Sequence, residues 1–265
     1  MAAAFALPLA GLAMALAGVA GSGAVAVAVL VGVLLLAVSL PGVFAVPDDR
    51  AATLVIALSG AAALLLTLVE DERVGGLPDG IGYLAPVLGL VFFAAVLAQL
   101  VRRDGRDNLV PSLGLTVTAA SVAALGTVWL PLSRTPAGST GVIVTGIALA
   151  LAGAVMSAFD VVDVAGRARW GRDIAALVVA GLGGVVGAYV AGGLGWLSGF
   201  LVGVLAAIVA VVANLFVLSA ARERREAGHG VAMLVDVDLA GVLAASVAVL
   251  LTAGPVFVLV RILVG

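Results

Sequence analysis

Apolar residues run along this chain in long unbroken stretches, and the short segments between them hold nearly all of the charge. Nine such stretches stand out, over residues 3–21, 24–45, 51–69, 82–101, 111–131, 140–159, 174–194, 196–219 and 239–262. A bilayer's hydrocarbon layer is about 30 Å thick and an α-helix rises about 1.5 Å per residue, so roughly 20 apolar residues make one crossing. The pattern predicts an all-α, polytopic transmembrane helical bundle of about nine spans. The gaps reach only about 20 residues, too short for a separate soluble core. One transmembrane domain, 1–265, is therefore expected, with spans 1–5 within 1–131 and spans 6–9 within 140–265.

Composition agrees. Of 265 residues, 64% are hydrophobic and 11% charged, and the mean hydropathy is +1.32. No water-soluble fold could bury that much apolar surface. The first residues, Met1 to Phe5, carry no basic group, so a retained first span is expected rather than a cleaved signal peptide. Cysteine is absent, which removes disulfides, thiolate catalysis and Cys-type metal sites. All 13 basic residues are Arg, which leaves no lysine for a Schiff base. One histidine and no cysteine supply no haem or iron–sulfur ligand set. A net charge of −2 gives no footprint for nucleic acid.

Arginine falls unevenly among the loops. Arg50 follows span 2; Arg102, Arg103 and Arg106 follow span 4; Arg167, Arg169 and Arg172 follow span 6; Arg222, Arg224 and Arg225 follow span 8. The opposite side receives Arg73, Arg134 and Arg261, with the acidic run Glu70-Asp71-Glu72 and Asp79. Cytoplasmic loops are enriched in Arg and Lys, so the N-terminus is expected inside and the C-terminus outside, with the plasma membrane as the expected location. Tyr83, Trp129, Trp170 and Trp196 stand near span ends, where amphipathic rings favour the headgroups. Gly183, Gly187, Gly195, Gly199 and Gly203 recur at four-residue spacing and predict a closely packed hairpin of spans 7 and 8.

Three segments on the expected cytoplasmic side combine acids, Arg and a break in the apolar pattern. Asp160 and Asp163 lie three apart, so one further helical turn on span 6 would aim both carboxylates the same way. Such a pair suits a divalent cation, and Arg167, Arg169 and Arg172 suit phosphate oxygens; an ordinary solvated membrane-edge loop reads the same way. The second segment holds Arg222, Arg224 and Arg225 before Gly228-His229-Gly230, a turn that allows close approach to the one side chain titrating near neutrality. The third, Asp236-Val237-Asp238, opens span 9, where the acids either face a wet cavity or complement the helix dipole. Asn214, inside span 8, is the expected buried amide, a helix–helix bond or part of a polar site.

These residues resemble the integral-membrane phosphatidate cytidylyltransferases, or CDP-diacylglycerol synthases. That family also has nine spans and a C-terminal signature of Ser, a basic pair, a His-Gly turn, spaced Asp residues and an Ala-Pro-Val-Phe helix. Here the matching stretch is Ser219-Ala220-Ala221-Arg222, Gly228-His229-Gly230, Asp236-Val237-Asp238 and Ala253-Gly254-Pro255-Val256-Phe257. Upstream, Leu100-Val101-Arg102-Arg103-Asp104-Gly105-Arg106 looks like the family's basic loop, and Ala158-Phe159-Asp160 like its Trp-Ala-Ser-Asp helix end. The family's Ser-Pro-Lys-Lys-Thr stretch has no counterpart between Asp160 and Gly181, Val231 replaces the second turn glycine, and Asn214 is the nearest match to an acidic residue of the eighth span. The resemblance thus implies a degenerate member.

What it implies is a CTP-dependent transferase acting on lipid phosphate. Asp160, Asp163 and His229 would be catalytic; Asp160, Asp236 and Asp238 would hold Mg²⁺; Arg167, Arg169, Arg222, Arg224, Arg225 and Asn214 would bind substrate. The motif losses support a second expectation, a noncatalytic scaffold that binds anionic phospholipid, a partner membrane protein or a second copy of the chain. A transporter is the third; it would place charge near mid-membrane, whereas almost every acid and Arg here lies at a span end.

Overall fold

The computed structural model describes residues 5–44, 49–69, 82–101, 109–161, 168–226 and 233–264. At 49, 161, 168–169, 218, 221–226, 233–239 and 264 the description is of the backbone. The helices are α1 (Ala6–Ala20), α2 (Ser22–Phe44), α3 (Asp49–Val69), α4 (Leu84–Val101), α5 (Leu109–Gly126), α6 (Trp129–Ser133), α7 (Pro136–Val161), α8 (Ala168–Ala191), α9 (Trp196–Glu226) and α10 (Met233–Val264). Among the described residues there is no strand.

Among the described residues, eight segments are long and apolar enough to cross a membrane, with α5 and α6 counted as one. The ninth apolar helix, α1, has 15 residues, or about 22 Å of rise. Each helix falls on one of the stretches expected from the sequence. The chain is thus an all-α, multi-pass helical bundle.

Packing registers fix how the helices alternate. Gly153 of α7 meets Pro8 of α1, Gly11 meets Gly146 and Ala150, and Gly18 meets Val142 and Ile143, so α1 and α7 run antiparallel. Gly183 and Gly187 of α8 face Leu151, Ile147 and Val144 of α7, while Gly181 and Gly184 face Phe200, Gly199 and Gly203 of α9. Both pairs are again antiparallel. Gly141 near the start of α7 lies against Val256 and Val260 near the end of α10.

The expected hairpin of spans 7 and 8 is therefore present, but its contact glycines differ. Gly183 and Gly187 serve the α7 contact, and Gly184 serves α9; one residue along a helix turns the contact through about 100°. Gly195 makes no close packing contact: a Cβ added there would meet only Ser198 Oγ, at 3.9 Å. The α8–α9 turn instead uses Gly192 and Gly193 with φ of 71° and 81°, a left-handed backbone that favours glycine.

The interior is lined by small residues, including Ala120, Ala123, Ala148, Ala152, Ala176, Ala180, Ala206 and Ala248, with Leu36, Ile56, Leu149 and Leu250 between them. Lipid tails are as apolar as leucine, so close backbone approach rather than water exclusion drives this association. Larger side chains such as Leu90, Phe92, Phe93, Leu182 and Val186 point outward, where lipid covers them. Interior hydroxyls bond back to carbonyls one turn earlier: Thr67 to Ala63, Thr116 to Ser112, Thr145 to Gly141, Ser157 to Gly153. No water is then needed to satisfy them.

One span departs from the sequence pattern. Stretch 111–131 is broken at Thr127–Val128, after which α6 runs for five residues. Gly126 and Pro131 flank the break, as expected of helix interrupters. Thr127 Oγ1 bonds the Ala124 carbonyl at 2.7 Å and Tyr83 Oη at 2.8 Å, and the Trp129 indole donates to the Val249 carbonyl at 2.9 Å. The break is thus tied to α10 and to Tyr83 by hydrogen bonds within protein.

Candidate functional site

The alternation brings the four helix ends richest in candidate residues to one face of the bundle. These are the end of α7, the start of α8, the end of α9 and the start of α10; α7 packs on α8, α9 and α10, and α9 packs on α8 and α10. Pro8 of α1 lies on the same side, opposite Gly153. Tyr83, Thr127, Arg134 and Thr67 gather at the other face, where Arg134 donates to the Thr67 carbonyl at 3.3 Å.

On the first face Arg172, Asp160 and Asp173 form a cluster. Arg172 Nη1 donates to Asp160 Oδ1 at 2.8 Å, and its Nε donates to Asp173 Oδ1 at 3.0 Å. The Arg172 side chain is 8% exposed, against 51% for Asp160 and 22% for Asp173. It is the one charged residue among the described buried set.

The reason lies in the helix period. Arg172, Ala176, Ala180 and Gly184 fall four apart on the buried face of α8, so the guanidinium is carried under the last turn of α7. Sequence pattern starts span 7 at 174, because charge ends the apolar run there; α8 starts at Ala168. The added turns bring Arg172 and Asp173 into the helix and make the pairing with Asp160 possible.

Asp163, Arg167 and His229 lie outside the described residues. Arg169 falls in the first turn of α8, Arg222, Arg224 and Arg225 in the last turns of α9, and Asp236 and Asp238 in the first turns of α10. Stretch 239–262 lengthens to Met233–Val264, so both acids join a helix N-terminus, where the macrodipole favours negative charge. Among the described residues no group of three or more His, Asp and Glu side chains could hold a metal ion. Asp160 and Asp173 both accept hydrogen bonds from Arg172.

Asn214 is not the buried amide expected of it. It sits partly exposed on α9 and makes no hydrogen bond among the described residues. The buried amide is Gln99 of α4, whose Nε2 donates to Ser112 Oγ of α5 at 3.0 Å. This bond closes the α4–α5 hairpin.

Fold and charge placement together define a multi-pass α-helical membrane protein with a charged cluster at one face. Comparison with protein-family models, with curated proteins and with solved structures gives no match to this chain.

Proposed function

We propose that this chain binds lipid phosphate at the cytoplasmic leaflet of the plasma membrane and, with CTP, transfers a cytidylyl group to it. A phosphate oxygen of phosphatidate attacks the α-phosphorus of CTP; one P–O bond forms, the bond to the β-phosphate bridge breaks, and pyrophosphate leaves. Arg167, Arg169, Arg222, Arg224 and Arg225 hold phosphate oxygens, Asn214 contributes to the lipid contact, and His229 moves the proton. Of the three acids expected to hold Mg²⁺, Asp160, Asp236 and Asp238, the two on α10 would hold it when it binds, and it would supply charge compensation to the departing pyrophosphate.

The observation that carries this reading is the mutual packing of α7, α8, α9 and α10, whose ends on one face hold or adjoin these residues. Lipid phosphate arrives at that depth of the bilayer, and Arg meets it with paired donors.

A noncatalytic reading is favoured by a different observation: the Asp160 carboxylate is already matched by Arg172. In that case the same face holds anionic phospholipid, a partner membrane protein or a second copy of the chain.

The experiment is a pyrophosphate-release assay on purified protein in phosphatidate-containing nanodiscs, with CTP and Mg²⁺. Release that falls at least tenfold in Asp236→Ala is expected. Absence of release, together with retained phosphatidate in native mass spectra, selects the noncatalytic reading; absence of both removes lipid phosphate from the account.

A further inference from the structure

The Asp160–Arg172–Asp173 cluster carries a step beyond the sequence. We infer that Asp160 and Arg172 are positioning residues that clasp the end of α7 to the start of α8, and that Asp160 is not a metal ligand. The inference deepens the proposed lipid-phosphate site and rests on that reading for its catalytic consequence, though the clasp itself is tested separately.

The two partners have unequal alternatives. Asp160 is half exposed and could trade Arg172 for water, whereas Arg172 is 7% exposed and has only two carboxylates to meet its charge among the described residues. Drawing Asp160 away to a cation would leave a buried guanidinium with one partner among the described residues. Breaking a buried pair by removing one member costs far more than removing both, because it strands an unmatched charge.

A dication beside Asp160 would also sit within a few ångströms of that guanidinium and be repelled by it. The carboxylate is therefore spent on holding two helices. Val161 and Ala168 end the two helices, and Asp163 and Arg167 of the proposed site lie between them in sequence.

The test is a cycle of Asp160→Asn, Arg172→Gln and the double variant, each in nanodiscs. Thermal unfolding is read with the KM for phosphatidate and the Mg²⁺ concentration giving half-maximal pyrophosphate release. Asp160→Asn alone is expected to lower Tm more than the double variant does. It should raise KM for phosphatidate about tenfold while half-saturating Mg²⁺ moves less than twofold.

A tenfold rise in half-saturating Mg²⁺ for Asp160→Asn would make the residue a ligand and overturn the inference. Additive Tm losses would overturn the clasp. If the wild-type protein releases no pyrophosphate, the catalytic consequence falls with the proposed function, and the Tm cycle alone decides whether the pair holds the two helices.

Discussion

At the scale of single residues, two tryptophans bear unequal loads. Trp129 is fully buried, and its indole donates across the bundle to the Val249 carbonyl at 2.9 Å. That carbonyl also accepts from Thr252 Oγ1 at 2.7 Å, so losing the indole does not orphan it. Trp129→Phe should then cost about 1–2 kcal/mol, from one lost hydrogen bond and a small void. Trp170→Phe, at an 80% exposed position, should cost less than about 0.5 kcal/mol. Unfolding of both variants in the same detergent measures the difference, and equal losses would contradict it. Asn214 and Gln99 show why single polar residues were poorly legible in sequence. Each is a lone amide in an apolar run, and only the rotation of its helix against neighbours decides that Gln99 is buried against Ser112 while Asn214 stays partly exposed.

At the scale of elements, existence was readable and contact faces were not. Apolar length reports the bilayer's thickness directly, so every stretch found a helix. Glycine spacing reports only that a helix has a small-residue side, and α8 has two, one toward α7 and one toward α9. The break at Thr127–Val128 was hidden because Gly126 and Pro131 both occur inside spans elsewhere; Pro41 and Pro255 lie within continuous helices. Helix ends at the charged face are not legible for a related reason: α8, α9 and α10 extend past their apolar runs into charged sequence, which hydropathy does not register. The α8–α9 contact gives a direct test. A Cβ on Gly184 would meet the Gly199 carbonyl oxygen, a backbone atom that cannot turn aside, whereas Gly23 has nothing within 4 Å. Gly184→Ala is expected to destabilise by about 1–3 kcal/mol through forced separation of the helices. Gly23→Ala should be neutral or slightly stabilising, since alanine favours helix. A neutral Gly184→Ala would mean that the two helices do not touch as described.

For the whole molecule, the registers and the arginine asymmetry make independent statements that must agree. Registers alone place the start of α1, the end of α7 and the start of α8 on one face, and the start of α7 and the α8–α9 turn on the other. Arginine alone predicts which face is cytoplasmic. Their joint consequence is measurable because the chain has no cysteine, so a single introduced thiol reports one position. Gly171 and Gly195 are both exposed and lie at opposite ends of α8. Trp170 and Tyr189, 80% and 89% exposed near those ends, are separated by about 28 Å of helix rise, which matches the hydrocarbon thickness. Gly195→Cys is expected to react with a membrane-impermeant maleimide in intact cells, and Gly171→Cys only in inside-out vesicles. Labelling of both from one side would remove α8 as a crossing and with it the antiparallel order of α7, α8 and α9. An exchanged result would keep the bundle but turn the Asp160–Arg172 face outward, where no CTP is available, and the transferase reading would fall while the fold stood.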